Sequence, residues 1–210
     1  MLKLWILPVG EYSTNCYLLT CPETGRGLLV DPGANAEAIL ALCKDWQVTR
    51  ILLTHGHFDH TQALDEVQAA LEAPVGVHLV EVGVHPADAA KFDIEADLEL
   101  EDGMRLGVGQ HYIRLVHVPG HTPGSMALRF DQRAIVGDAV FPGGPGHTTD
   151  PDALQTALLS LQRTIFTWPD DTIIYPGHGD HATVGAGRPA FQEFLARPRS
   201  ADLCGDVTWT

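Results

Sequence analysis

Basic residues are scarce in this chain. Only 13 of its 210 residues are Lys or Arg, against 27 Asp and Glu, for a formal net charge of −14. No basic run occurs, so nucleic acid, whose phosphates call for Lys and Arg, is not an expected partner. Cysteine is sparse too. Cys16, Cys21, Cys43 and Cys204 form no C-x-x-C pair and no spacing typical of a disulfide framework, and they read as buried small hydrophobes or inert thiols. No apolar run approaches the ~18 residues of a membrane span. The apolar start, Met1 to Leu7, is cut short by Pro8, Gly10 and Glu11 and has no small-residue cleavage site. A reducing cytoplasm is therefore the expected location, without a membrane partner.

What remains is an ordinary globular composition, 45% apolar and 19% charged. The length suits a single domain over 1–210, with 198–210 as an irregular tail. That tail ends in Trp209, which is expected to fold back on the domain or meet a neighbouring subunit. Oligomeric state stays open. Short strands are expected at Leu2–Leu7, Cys16–Thr20 and Gly27–Asp31, followed by a helix whose apolar stripe is Ile39, Leu42, Cys43 and Trp46. Arg50–Thr54 is apolar on both faces and should be central. A helix through Ala63, Leu64, Val67 and Leu71 and a strand at Pro74–Leu79 come next. A short helix and loops are expected over residues 81–104. The second half repeats the scheme, with strands at Met104–Val108, Tyr112–Val118, Ser125–Phe130 and Ala134–Gly137. A helix then starts at Asp150 and Pro151, a strand spans Thr172–Tyr175, and Arg188–Arg197 forms a last helix. Two packed sheets with helices outside accommodate this α/β order.

The central strand opens into Thr54-His55-Gly56-His57-Phe58-Asp59-His60. Imidazole and carboxylate are ligands for zinc, iron and manganese. Four such side chains in six residues cannot converge on one ion, because neighbours on an extended segment face opposite ways. Two ions a few Å apart suit them better, with His55 and His57 on one and Asp59 and His60 on the other. Each pair alone leaves its ion short of ligands. Three further apolar strands end at candidate donors flanked by Gly or Pro: Pro119-Gly120-His121-Thr122-Pro123-Gly124-Ser125, Gly137-Asp138, and Pro176-Gly177-His178-Gly179. Rigid turns at strand ends are where a scaffold can pre-position ligands.

These segments, with Asp31-Pro32-Gly33, resemble the motifs of the metallo-β-lactamase-fold hydrolases from about residue 5 to residue 196. The strand Asn15-Cys16-Tyr17-Leu18-Leu19 and the His121-Thr122-Pro123-Gly124-Ser125 segment look most like the small glyoxalase II-like branch. The resemblance implies an αββα sandwich. It also implies two divalent ions, zinc expected and iron or manganese compatible. One ion would be held by His55, His57 and His121, the other by Asp59, His60 and His178, with Asp138 bridging them. Asp31 would orient a ligand from behind, and Asp59 would serve as a proton acceptor as well as a ligand. The implied reaction is hydrolysis of a small-molecule thioester by a metal-bridging hydroxide.

Two departures bear on the substrate. Glyoxalase II-like proteins carry Gly-x-Gly-Arg-x-Asp after the bridging Asp. Here Gly144-Pro145-Gly146-His147-Thr148-Thr149-Asp150 puts His147 in the arginine's place, as a substrate-contact candidate or a plain loop residue. Only 32 residues follow His178, so the glutathione-holding C-terminal helices of full-length glyoxalase II are not expected. The alternatives are a mononuclear-iron persulfide dioxygenase, a lactonase and a non-catalytic metal-binding module; ribonuclease is disfavoured by the acidic charge. His181, His78, His85, His111 and His117 match no motif. Arg188 is expected to serve the surface rather than a substrate.

Overall fold

The computed structural model describes residues 1–72 and 80–209. The expected strand at Pro74–Leu79, and His78 with it, lie outside the described residues. Six strands form the first sheet in sequential order: β1 (Lys3–Val9), β2 (Thr14–Cys21), β3 (Arg26–Val30), β4 (Gln47–Leu52), β5 (Glu81–Val84) and β6 (Leu98–Glu99). β1 to β3 pair antiparallel, and β3 to β6 pair parallel. The second sheet contains β7 (Arg105–Val108), β8 (His111–His117), β9 (Met126–Phe130) and β10 (Arg133–Gly137). A two-stranded ribbon, β11 (Val140–Phe141) and β12 (Gly144–Pro145), follows β10. β13 (Ile173–Pro176) and β14 (Ala182–Thr183) complete the second sheet, whose order is β14-β13-β10-β9-β8-β7. The helices are α1 (Ala36–Cys43), α2 (Phe58–Thr61), α3 (Leu64–Glu72), α4 (Pro86–Phe92), α5 (Pro151–Arg163) and α6 (Val184–Ala196).

Strand alternation sorts the apolar side chains into three layers. In β2, Tyr17 and Leu19 face the second sheet and pack with Ile113, Leu115, Met126 and Leu128. Their neighbours Cys16 and Leu18 face outward, with Ile39 of α1 and Leu64 and Val67 of α3. On the far side, Ala127, Ala134 and Ile174 of the second sheet meet Leu154, Leu158 and Leu161 of α5 and Phe191 and Phe194 of α6. The result is helix, sheet, sheet, helix. Burying one Leu or Ile in these layers contributes roughly 1.5–3 kcal/mol. Among the described residues, no helix is long and apolar enough to cross a membrane.

Several element bounds differ from expectation, each for a physical reason. β1 continues through Pro8 because it is an edge strand paired only with β2, where a missing N–H costs nothing. Residues 81–104 hold two short parallel strands around α4, so pairing with β4 made strands of segments too short to show a period. α6 starts four residues before Arg188, at a cap where the Thr183 side chain accepts from the Ala186 N–H. α5 begins as its sequence suggested, with the Asp150 carboxylate accepting from the Ala153 N–H at 2.8 Å and Pro151 in the first turn.

No helix or strand occurs over 198–209, yet the segment is anchored. Gly205 pairs with Thr148, and Trp209 is buried against Phe191 and Phe194. Among the described residues, the buried Trp209 indole N–H has no hydrogen-bond partner. Trp209→Ala should therefore lower the unfolding free energy by about 3–5 kcal/mol. Trp209→Phe, which removes an unpaired donor worth about 1–3 kcal/mol, should come out near neutral. Urea denaturation measures both, and an alanine variant as stable as the parent would show that the tail does not anchor the fold.

Candidate metal centre

β4 ends at Leu52, and the backbone then runs through Leu53 and Thr54 and turns through His55, Gly56 and His57 into α2. Asp31 holds that turn from behind. Its fully buried carboxylate accepts from the Thr54 N–H at 2.7 Å and the Thr54 hydroxyl at 2.6 Å, and lies 3.0 Å from His60 Nδ1. Asp31 itself sits in the left-handed region at φ 53°, a conformation costly for a residue with a Cβ. The hydrogen bonds hold it there.

The seven candidate ligands named from the sequence converge. His121 Nε2 lies 3.3 Å from His55 Nε2 and 2.9 Å from His57 Nδ1. The second group forms around His60 Nε2, 3.5 Å from Asp59 Oδ2, with His178 Nε2 3.2 Å from the same oxygen. Asp138 stands between the groups: one oxygen is 3.5 Å from His60 Nε2, the other 3.7 Å from His121 Nε2 and 3.5 Å from His178 Nε2. Thus His55, His57 and His121 form one three-donor set and Asp59, His60 and His178 another.

The outer ring nitrogens decide the tautomers. His121 Nδ1 meets the His147 carbonyl at 2.8 Å, and His178 Nδ1 meets the Tyr12 carbonyl at 3.0 Å. A carbonyl only accepts, so both Nδ1 atoms carry hydrogen. Anchoring the far nitrogen in this way aims the near one at a metal. His60 Nε2 and Asp138 Oδ1 are buried and have no hydrogen-bond partner among the described residues. Orphaned buried polar atoms are rare, and two facing each other among further donors fit an ion between them.

Charge points the same way. Burial presses His60 towards its neutral form, but Asp31 and Asp138 outweigh it and hold the imidazole at about 10. His178, beside Asp138 and Asp59, also rises to about 10. In the other set, burial and then the neighbouring His121 lower His57 to about 4; burial and His60 depress His55 strongly. Asp59 is held at about 2, because His178, His60 and the Thr14 hydroxyl outweigh its burial.

Three positioning residues carry little mark in the sequence. Asp88, fully buried in α4, accepts from the Gly56 N–H at 3.0 Å, the Thr122 hydroxyl at 2.7 Å and the Gly124 N–H at 2.7 Å. It ties the His55–His57 turn to the His121 turn, but it lies where the sequence pattern was mixed. Thr14 donates to Asp59 at 3.0 Å. Asn15 clamps the His178 turn through the Pro176 and Gly179 carbonyls, and its only sequence signal was membership of the Asn15-Cys16-Tyr17 strand. Gly177 is required by space, since a Cβ there would overlap the Asp138 carboxylate.

The remaining candidates lie further out. The His147 imidazole is about half exposed and faces Asp206 at 3.0 Å; its main-chain carbonyl, not its ring, reaches His121. His181 lies against Tyr175, and His85 stacks on His117. Arg188 binds the Phe166 and Trp168 carbonyls and pairs with Asp170, a structural role at the surface. A cleft of about 530 Å³ opens beside Asp59, lined by Gly10, Tyr12, Thr14, Asn35 and Phe58 among others.

A family model of the metallo-beta-lactamase superfamily matches residues 9–178. The chain belongs to this superfamily. Its members include metal-dependent hydrolases and bind divalent metals, often two. Hydroxyacylglutathione hydrolase GloC of Haemophilus influenzae is 29% identical over 200 residues, covering 88% of this chain and 94% of that protein. The crystal structure of TTHA1623 in a di-iron-bound form matches with TM-score 0.69 and 30% identity, over 87% of this chain and 95% or more (96%) of that one. ETHE1 from Myxococcus xanthus matches with TM-score 0.75 and 26% identity, over 94% and 92% of the two chains. The expected αββα sandwich is thus the superfamily's fold.

Two predictions follow from the geometry. At pH 8, filling the Asp59/His60/His178 set should release about two protons, those of His60 and His178, more than the His55/His57/His121 set releases. Apparent affinity of the former should climb as pH rises towards 10. Calorimetry in buffers of differing ionisation enthalpy reads the difference, and equal release from both sets would refute it. Asp88→Asn, which cannot accept all three bonds, should weaken metal binding about 10–100-fold in chelator competition. Unchanged affinity would show that Asp88 does not position these ligands.

Proposed function

We propose that the protein is a binuclear metal-dependent hydrolase that cleaves a small-molecule thioester. The observation that carries this reading is the pair of three-donor sets sharing Asp138 between them. In this reading His55, His57 and His121 would hold one ion, Asp59, His60 and His178 the other, and Asp138, which lies between the sets, would serve both, while Asp31 orients His60. Two divalent ions so held supply a hydroxide at neutral pH and polarise a carbonyl. Zinc is the first expectation on ligand chemistry; iron is supported by the di-iron form of TTHA1623.

The chain's own groups arrange the substrate. Of the seven candidate ligands, Asp59 also lines the cleft, so the thioester carbonyl enters past Asp59. The exposed rings of Tyr12 and Phe58 flank that entrance and offer apolar surface to an acyl or thiol chain. Asp59, kept ionised by His178 and His60 and oriented by the Thr14 hydroxyl, is the chain's own proton acceptor at this entrance. The cleft is lined by Glu11 and no Lys or Arg among the described residues, so the carrier thiol need not be glutathione. The thioester class rests on the likeness to GloC.

A second reading, the mononuclear-iron persulfide dioxygenase, is raised by the likeness to ETHE1. Such a site needs one ion, whereas both donor sets are complete here, which favours two. Metal analysis of the purified protein, with S-lactoylglutathione hydrolysis assayed beside oxygen uptake on glutathione persulfide, decides between them. The expected result is at least two ions per chain and thioester hydrolysis, with Asp138→Ala losing at least one ion and the activity. One iron per chain with oxygen uptake would overturn the hydrolase.

A further inference from the structure

The sandwich has a second concentration of metal-binding side chains at its other end. β2 starts at Thr14, beside Asp59, and ends at Cys21, roughly 23 Å away for a strand of this length. There Cys21, Glu23 and His111 bring three donor atoms within 4.8 Å of one another. Cys21 Sγ lies 3.2 Å from Glu23 Oε2, and His111 Nε2 lies 3.7 Å from that same oxygen.

The three donors come from two sheets. Cys21 ends β2 and Glu23 lies in the turn to β3, whereas His111 opens β8. Gly109 makes the meeting possible. Its φ of +62° turns the β7–β8 connection sharply, and a Cβ there would overlap the Cys21 sulfur and the Thr24 hydroxyl. The Cys21 side chain is buried, while Glu23 and His111 are partly exposed, so an ion can reach the thiol from solvent.

The spacing fits a tetrahedral ion. Zinc bonds of about 2.3 Å to sulfur and 2.0 Å to nitrogen or oxygen place neighbouring donors about 3.3–3.5 Å apart. The observed separations of 3.2 and 3.7 Å bracket that range. Thiolate, imidazole and carboxylate together select zinc or a similar borderline ion over magnesium or calcium, which take oxygen donors. The Met1 amino group lies 3.0 Å from His111 Nε2 and 3.5 Å from Glu23 Oε1, and an ion held by the three side chains, with water in the fourth position, takes its place.

We propose that Cys21, Glu23 and His111 form a separate site for a zinc-class divalent ion, which joins the two sheets at the end away from the Asp138 centre. On binding, the Cys21 thiol gives its proton to solvent and the metal–sulfur bond takes its place; no electron is transferred. Such an ion favours the folded state, because the unfolded chain does not hold the three donors together.

Cobalt(II) titration of the metal-free full-length protein tests this directly. None of the seven candidate ligands around Asp138 is a cysteine, so a near-ultraviolet thiolate-to-cobalt band would report only on a cysteine site. The band should appear, saturate at one cobalt per chain, survive Cys204→Ser and vanish in Cys21→Ser. It should also vanish in His111→Ala, whose partly exposed side chain is not part of the core, while thioesterase activity is retained. A folded parent protein that shows no thiolate band at saturating cobalt would overturn the proposal, as would a band undiminished in His111→Ala.

Discussion

Five imidazole nitrogens and two carboxylates, Asp138 at their centre, face one another within a few Å, most of them shielded from water. Such a cluster is unfavourable unless positive charge is supplied. Protons on His60 and His178 supply it in the metal-free protein, and divalent ions would supply it in the loaded one. Much of the surrounding structure serves to hold these donors together against their mutual repulsion. Asp31 accepts the strain of a left-handed backbone to bind Thr54 and His60. Asp88 spends its whole carboxylate on backbone and hydroxyl donors from two ligand turns.

The sandwich makes that restraint possible. The candidate ligands stand at the ends of strands from both sheets, where the chain leaves a rigid, three-layered core for a short turn. β2 is buried along its whole length and links the sheets' shared core to the site, since Thr14 and Asn15 at its start brace Asp59 and the His178 turn. Its other end reaches Cys21. One strand therefore connects two places where donors from different sheets meet, one dense and buried, the other smaller and open to solvent.

The seven candidate ligands were legible in the sequence because four of them crowd the segment His55–His60 straight after an apolar strand, and His121, Asp138 and His178 each follow an apolar strand beside Gly or Pro. The layered fold was legible because apolar periodicity changes cleanly between two and 3.6 residues along most of the chain. β5, β6 and the start of α6 were not. The first two are too short to show a period and exist through pairing with a neighbour, and the third begins in a stretch of Gly and Pro that only the Thr183 cap makes helical.

The sequence alone thus determined the donor types, their placement at strand ends and the two-sheet architecture, because local pattern encodes all three. Tertiary structure decided how close the donors implied by the resemblance come, with Asp138 within 3.7 Å of donors from both sets, and that the His147 ring faces Asp206 while its carbonyl serves His121. It also decided that Asp88 braces the site and that Cys21 meets His111. Those relations join residues far apart in the chain, and their distances follow from how the two sheets twist and pack, which no single segment records.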